Sequence, residues 1–258
     1  MKKKQEMSSA DISALVSELS EGSNSIVDAK INKVYQPTPD EVRINIYIPR
    51  VGRDNLVIEA GKRIHLSKLL RSNPKMPGPY PMLLRKHIMG GRITFIRQYD
   101  FDRIVEIGIS KGETDTILVA EFFSQGNIIL LNNERKIILP MKPRTFRGRR
   151  IQGGEIYEYP ESQISPLEAE EKDLEQAFAS SEGDVVRTIA TSFNLGGLLA
   201  EEVCARSEVD KNKSIDDVTF DEITILSKTL KDVFSPIVTG ELNPCIIKQK
   251  TSNNSEPV

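Results

Sequence analysis

Arg85-Lys86-His87-Ile88-Met89-Gly90-Gly91-Arg92, followed four residues later by Arg97-Gln98-Tyr99-Asp100-Phe101-Asp102-Arg103-Ile104-Val105-Glu106-Ile107, sets cations and polar groups between apolar anchors. Pro81 is tolerated at a first helical position, and Gly90-Gly91 can close a helix with a left-handed cap, which predicts a short helix over 82–89. Leu84 and Ile88 share one face of it, and Arg85 and Met89 the next, so the cations sit beside an apolar seam. Cations fixed in this way suit phosphate. Ile93 and Phe95, then Ile104, Val105, Ile107 and Ile109, read as two strands around a Gln98-Tyr99-Asp100 corner. Asp102 and Arg103 fall where that corner meets the second strand. Neighbours in a regular strand point to opposite faces, so the pair serves one site only if the strand start is twisted or bulged; otherwise it is an exposed pair of charges.

Towards the amino terminus, Ser8 precedes Ile12, Leu15, Val16 and Leu19 at helical spacing. Ser8-x-x-Asp11 has the form of a capping box, which explains Asp11 structurally through its charge at a helix start. Strands are expected over 26–35 and 42–48, with 56–59 and 63–66 as a hairpin around Ala60-Gly61-Lys62. Arg63 and His65 would share one face of the last strand, with Ile64 and Leu66 on the other. His65 and His87 are the only histidines, and neither is grouped with further ligands or a nucleophile. Pro74, Pro77, Pro79, Pro81 and Gly78 make a stiff loop before the helix.

Towards the carboxy terminus, 117–123, 127–131 and 136–139 continue an antiparallel meander. Lys142, Arg144, Arg147, Arg149 and Arg150 then give five cations in nine residues with no acid, around Phe146 and Gly148. Such a loop suits phosphate contact, or equally a solvated basic surface. Between 155 and 184 the sign reverses, with ten acids against Lys172 alone. Beyond lie helical patterns: Leu167, Leu174 and Phe178; Val185, Val186, Ile189 and Ala190; then Leu198, Leu199 and Val203 after a tight Phe193-Asn194-Leu195-Gly196-Gly197 turn. Glycines there could bring phosphate to backbone amides at a helix start, while Glu201, Glu202 and Glu208 oppose a polyanion. Thr219-x-x-Glu222 caps a last helix through Ile223, Leu226, Leu230 and Val233. The chain is therefore divided into 1–165, a helical 166–240 and a polar tail 241–258, the last expected to be disordered.

The 258 residues suffice for one large or two modest domains. No run approaches the ~20 apolar residues of a membrane span, and Met1-Lys2-Lys3-Lys4 leads into polar residues, unlike a secretory signal, so a cytosolic protein without membrane partners is expected. Cys204 and Cys245 are isolated, which gives no support to a zinc site or disulfide framework, and no cofactor is expected. The net charge of −2 hides a division. Residues 1–154 hold 26 Lys+Arg and 16 Asp+Glu, a net +10, and residues 155–258 hold 9 and 21, a net −12. That asymmetry points to a basic face that meets a polyanion.

Arg85-Lys86-His87, Gly90-Gly91-Arg92-Ile93, Ile96-Arg97-Gln98 and Phe101-Asp102-Arg103-Ile104-Val105-Glu106 together resemble the core of the NFACT amino-terminal domain. Met7-Ser8-Ser9-Ala10-Asp11, Lys33-Val34-Tyr35-Gln36, the Ile58-to-His65 hairpin, and Glu121 with Gly126-Asn127-Ile128-Ile129-Leu130 extend the likeness from about Met7 to about Pro160. The resemblance implies an α+β fold: an antiparallel-sheet amino-terminal domain of DNA-glycosylase-like architecture, then a small all-helical, helix-hairpin-helix-like domain. The paired coiled-coil arms and carboxy-terminal module of the family are not visible, so the chain reads as a fragment.

The family resemblance further implies a ribosome-associated quality-control factor that engages large ribosomal subunits obstructed by peptidyl-tRNA, recruits tRNA, alanyl-tRNA by analogy with bacterial members, and supports template-free tailing of the stalled chain. Its acidic residue and Asp-Arg pair fall on Asp11, Asp102 and Arg103. With these, Arg85, Lys86, Arg92, Arg97 and the 142–150 cations (Lys142, Arg144, Arg147, Arg149 and Arg150) form the expected tRNA- and rRNA-contacting set; peptide transfer is assigned to the ribosome, and no catalytic residue is expected. Three alternatives compete. A glycosylase of the formamidopyrimidine type would need an amino-terminal proline and zinc-finger cysteines that this sequence lacks, and no DNA partner is expected. An adhesin would need a signal, anchor or disulfides. A plain RNA-binding scaffold needs nothing more.

Overall fold

The computed structural model describes residues 6–21, 23–146, 148–160 and 163–240; Arg147, Cys245 and the expected disordered tail 241–258 lie outside them. The capping box forms as read. Ser8 Oγ accepts from the Asp11 N–H, and the Ser8 N–H donates to the Asp11 carboxylate at 2.6 Å, starting α1 (Ser9–Ser20). Its apolar stripe, Ile12, Val16 and Leu19, is buried.

Nine strands follow in one antiparallel sheet: β1 (Lys30–Thr38), β2 (Glu41–Ile48), β3 (Gly52–Glu59), β4 (Arg63–Leu66), β5 (Arg92–Gln98), β6 (Ile104–Lys111), β7 (Thr114–Glu121), β8 (Asn127–Asn132) and β9 (Ile137–Pro140), in the order β4-β3-β2-β1-β5-β6-β7-β8-β9. The first strand is shorter at its start than the sequence suggests. Ile26 and Ala29 are buried but lie in a turn, since apolar pattern reports burial and not pairing. The sheet comprises two wings that meet where β1 pairs with β5 at Lys30↔Arg92, a seam flanked by the Ile31 N–H to Gly91 carbonyl and Ile93 N–H to Ala29 carbonyl bonds. Ile44, Ile46 and Ile58 of one wing share a core with Val105, Ile107, Leu118 and Leu130 of the other. Opposite the seam the wings meet again: the Gly61 N–H donates to the Glu121 carbonyl at 3.0 Å. A Cβ on Gly126 would lie 1.8 Å from the Gly61 nitrogen, so this contact requires glycine.

The helix of the opening stretch, α2 (Pro79–Ile88), begins two residues before Pro81, because Pro79 also fits the first turn. Leu84 and Ile88 are fully buried, and the Tyr80 hydroxyl donates to the Ile128 carbonyl at 2.7 Å. Gly90 (φ +87°) ends it, and at Gly91 a Cβ would sit 2.8 Å from the Ser110 carbonyl oxygen. The 142–150 segment is not a plain loop but a small hairpin of β10 (Arg144–Phe146) and β11 (Arg149–Ile151).

Helices α3 (Glu171–Ala179), α4 (Val185–Ser192), α5 (Gly196–Ser207) and α6 (Phe220–Thr239) pack around a second apolar core. Leu167, expected on the first of them, lies in the turn before it. One residue of the sheet side, Phe101, enters that core and meets Phe234 edge-to-face at 5.4 Å between ring centroids. Among the described residues no helix is long and apolar enough to cross a membrane, and no group of three metal-ligating side chains occurs.

Candidate nucleic-acid interface

Asp102 and Arg103 do not belong to a strand. β5 ends at Gln98 and β6 begins at Ile104, and between them Asp100 (φ +41°) and Phe101 (φ +51°) are left-handed. This double reversal sends Phe101 into the helical core and turns Asp102 and Arg103 outside the alternating pattern, so the opposite-faces objection does not apply. The corner is pinned from within: Gln98 Nε2 donates to the Asp102 carbonyl at 2.8 Å and to the Ser9 carbonyl at 3.0 Å, tying α1 to the turn.

The Asp102 carboxylate binds across the layers. Its Oδ1 accepts from the Arg103 N–H at 2.6 Å and from Asn194 Nδ2 at 2.7 Å. Asp102 therefore orients Arg103 through the backbone, and it holds the α4–α5 turn through Asn194. The Arg103 guanidinium is one-third exposed and lies 3.7 Å from the Glu6 carboxylate. Asn194 has φ +54° and Gly196 φ +70°, the two reversals that let α4 stop and α5 restart within three residues.

These pieces enclose an open cleft of about 510 Å³. Asp11 and Ser8 line it from α1, Arg103 from the corner, and Asn194, Gly196 and Gly197 from the turn. No side chain caps α5 and no acid occupies its first turn, so its free amides and positive end face the same space as Arg103. Of the three glutamates beyond, which the sequence sets against anion binding here, two are paired, Glu201 with Lys211 at 2.8 Å and Glu202 with Arg206 at 2.6 Å, and Glu208 forms no ion pair among the described residues.

The other expected cations do not line this cleft. Arg92 donates to the Asp28 carbonyl at 3.0 Å, and Lys86 is exposed on α2. Arg85 donates Nε–H to the Val34 carbonyl at 2.8 Å. Arg97 is bound twice to one oxygen of Glu106, at 2.7 and 3.0 Å. Lys142 pairs with Asp40, Arg144 with the Gln125 amide, and Arg150 with Glu155 at 3.4 Å. Arg149 is held inward: its side chain is 9% exposed, and its guanidinium is bound by Glu121 and the Glu158 carbonyl.

Two acids that the sequence reading names without a role organise this face. Glu106 is fully buried and bonded by Arg97, by Arg135 at 2.7 Å and by the Tyr159 hydroxyl. Burial alone would raise its pKa, but the bonds from Arg135, Tyr159 and Arg97 hold it below the usual value. Glu121 holds Arg149 and the Tyr157 hydroxyl. With Tyr99 stacked on Tyr159 at 3.4 Å, the two acids clamp the segment leading to α3 onto the sheet. An acid inside an apolar strand run was the one available signal. The remaining polar candidates are unremarkable: burial and neighbouring cations lower the pKa of both histidines, and burial pushes the Cys204 thiol up to about 11.

Residues 8–257 match the family model described as NFACT N-terminal and middle domains. The chain belongs to the NFACT family. It is 31% identical over 266 aligned positions to the archaeal Rqc2 homolog aRqcH of Methanocaldococcus jannaschii, covering 99% of this chain and 39% of that protein. It is 31% identical over 198 to the Rqc2 homolog RqcH of Bacillus subtilis (70% and 35% covered) and 26% over 218 to the mouse ribosome quality control complex subunit NEMF (83% and 20%). The chain thus spans two-fifths or less of the length of these curated relatives. Among solved structures, the fold matches the fibrinogen binding protein of Staphylococcus aureus with a TM-score of 0.71 at 21% identity, over 89% of this chain and 82% of that one. The amino-terminal part of the fibronectin/fibrinogen-binding protein of Streptococcus suis matches at 0.65 and 28%, over 83% and 84%.

Proposed function

We propose that this NFACT chain works in cytoplasmic ribosome-associated quality control, binding tRNA on large ribosomal subunits obstructed by peptidyl-tRNA and supporting template-free tailing of the stalled chain, with alanyl-tRNA as the donor. Relatives named as Rqc2 homologs and as a ribosome quality control complex subunit favour this setting. The observation that carries it is the cleft that joins Asp11, Arg103 and the uncapped start of α5, with Asp102 orienting Arg103 from behind. An RNA strand there meets Arg103 and backbone amides with its phosphates, and Asp102 Oδ2, which has no protein partner among the described residues, accepts from a ribose 2′-OH. Arg85, Lys86, Arg92, Arg144 and Arg150 broaden the electrostatic attraction, and Arg97 and Lys142 contribute chiefly through the acids they balance. Peptide transfer belongs to the ribosome, and the chain's part is recognition and placement.

Crosslinking followed by sequencing of the bound RNA tests this. Wild type should recover a restricted set of tRNAs together with large-subunit rRNA, and an Asp102→Ala/Arg103→Ala variant should lose the tRNAs. Recovery of RNA without tRNA enrichment, unchanged in that variant, would instead mark a plain RNA-binding scaffold.

A further inference from the structure

A second cleft, of about 210 Å³ and sharing no residue with the first, opens where the proline-rich loop crosses the outer side of β1 and the end of α2. Tyr35, Gln36 and Arg85 line it from the body, and Asn73, Lys75 and two prolines from the loop. No acid lines it. Beneath the loop lies Arg43, only 4% exposed. Its guanidinium donates to the Arg71 carbonyl at 2.9 Å and to Asn73 Oδ1 at 2.8 Å, and its Nε is buried without a partner.

Both oxygens that hold Arg43 are neutral, so a nearly buried positive charge has no carboxylate partner among the described residues. That contrasts with Arg97, Arg135 and Arg149, each of which closes on a buried glutamate. Arg85 is likewise bound only by the Val34 carbonyl and the Met82 sulfur, and Lys75 forms no ion pair among the described residues. A buried or half-buried cation without a counter-charge is costly, and an anionic ligand relieves it. The aromatic element is Tyr35, half-buried, with the Arg43 and Arg85 guanidinium carbons 4.7 and 5.7 Å from its ring centroid. Tyr35 gives the open cleft an aromatic wall, and Lys75 and Arg85 line it as cations, a combination that fits a planar ring carrying an anionic group.

We propose that this cleft seats one unpaired nucleotide of an RNA strand, its base against Tyr35 and the loop prolines and its phosphate between Lys75 and Arg85. Stacking of a splayed-out base on an aromatic ring, with cations on the backbone, is how single strands are held without a duplex. The proposal rests on the reading of the chain as an RNA-binding factor, and it adds a second, independent contact for a loop or end of that RNA.

The test is direct titration of a fluorescein-labelled single-stranded tetraribonucleotide into the described chain, with Lys75→Gln, Tyr35→Leu and Arg85→Gln variants beside Arg103→Gln in the first cleft. Thermal melts check folding, and Lys75 is exposed and forms no ion pair among the described residues, so Lys75→Gln keeps the test valid if Arg85→Gln disturbs the fold. Tyr35→Leu is expected to weaken binding roughly 5- to 100-fold, the range for losing one base–aromatic stack. Lys75→Gln should make the log-log salt slope shallower by about 0.7, one phosphate contact on a single strand. Arg103→Gln should remove only the first cleft's share of the binding, so the losses in Tyr35→Leu and Lys75→Gln should be the same in its presence and absence. Loss in Arg103→Gln with no change in Lys75→Gln and Tyr35→Leu would overturn the second site and leave the first cleft's role standing. Equal displacement by millimolar inorganic phosphate and by the unlabelled tetranucleotide would reduce it to a free-anion site, and preferential capture of a peptide carboxylate would also overturn it. Failure of wild type to bind the tetranucleotide, while crosslinking still recovers tRNA through the first cleft, would refute this inference alone.

Discussion

Phe101→Ala separates the two layers of the molecule on paper, and its effect can be worked from the structure. Phe101 is 6% exposed and, among the described residues, is the one buried residue from the sheet side within the core of α3 to α6. Truncating a buried phenylalanine costs ~3–5 kcal/mol, of which an edge-to-face pair such as that with Phe234 accounts for roughly 0.5–1.5. The left-handed backbone at position 101 gives no relief, because alanine retains that strain of about 1–2 kcal/mol. At a junction that can partly collapse, the lower end applies, about 3 kcal/mol. Hydrogen exchange should resolve where it falls: opening of α4, α5 and α6 should become easier by that amount, with the β6–β8 amides little changed. The cleft loses its far wall as the helices loosen, so RNA recovery should fall as well. Helix amides that keep their protection to within ~0.5 kcal/mol would refute the claim that Phe101 fixes the helical layer to the corner.

Glu106→Gln should lower stability by about 2–4 kcal/mol, reduced from the value for a fully buried pair because Arg97 is more than half exposed, and Tm by roughly 4–16 °C. The lowered pKa of Glu106 gives wild type a stabilising contribution that is complete above the ordinary carboxylate range and is lost as pH falls through the lowered folded value, so chemical denaturation between about pH 5 and 3 should show a shallower acid decline in the variant. Gly126→Ala forces a Cβ onto the Gly61 backbone from a left-handed position, and soluble yield and melting should show a loss of at least ~3 kcal/mol or no folded protein. Asn194→Ala removes the bond to Asp102 and should cost ~1.5 kcal/mol in denaturant titration.

The local features of the fold were readable because local chemistry decides them. The Ser8–Asp11 capping box and the alternation of Arg63 to Leu66 recur in the structure at the same residues. Boundaries slipped where two residues could do one job, as at Pro79 and Pro81, or where burial occurs without pairing, as at Ile26. The site was legible as residues but not as an arrangement. Nothing near Asp102 names Asn194, ninety-two positions away, and a left-handed phenylalanine at 101 has no sequence signal. The basic run at 142–150 shows how density along the chain can differ from placement in space. Its density suggests one surface, but Arg149 turns inward because Glu121 and Tyr157 are there to receive it.

Equilibrium binding of alanyl-tRNA to the wild-type chain and to Arg103→Ala, at one fixed salt concentration, tests the account most directly. Removal of a charge-assisted phosphate contact predicts a loss of roughly tenfold or more, with the fold intact because, among the described residues, the Arg103 side chain pairs with the partly exposed Glu6 alone. Unchanged affinity would contradict the central claim that the Asp102-Arg103 corner holds RNA.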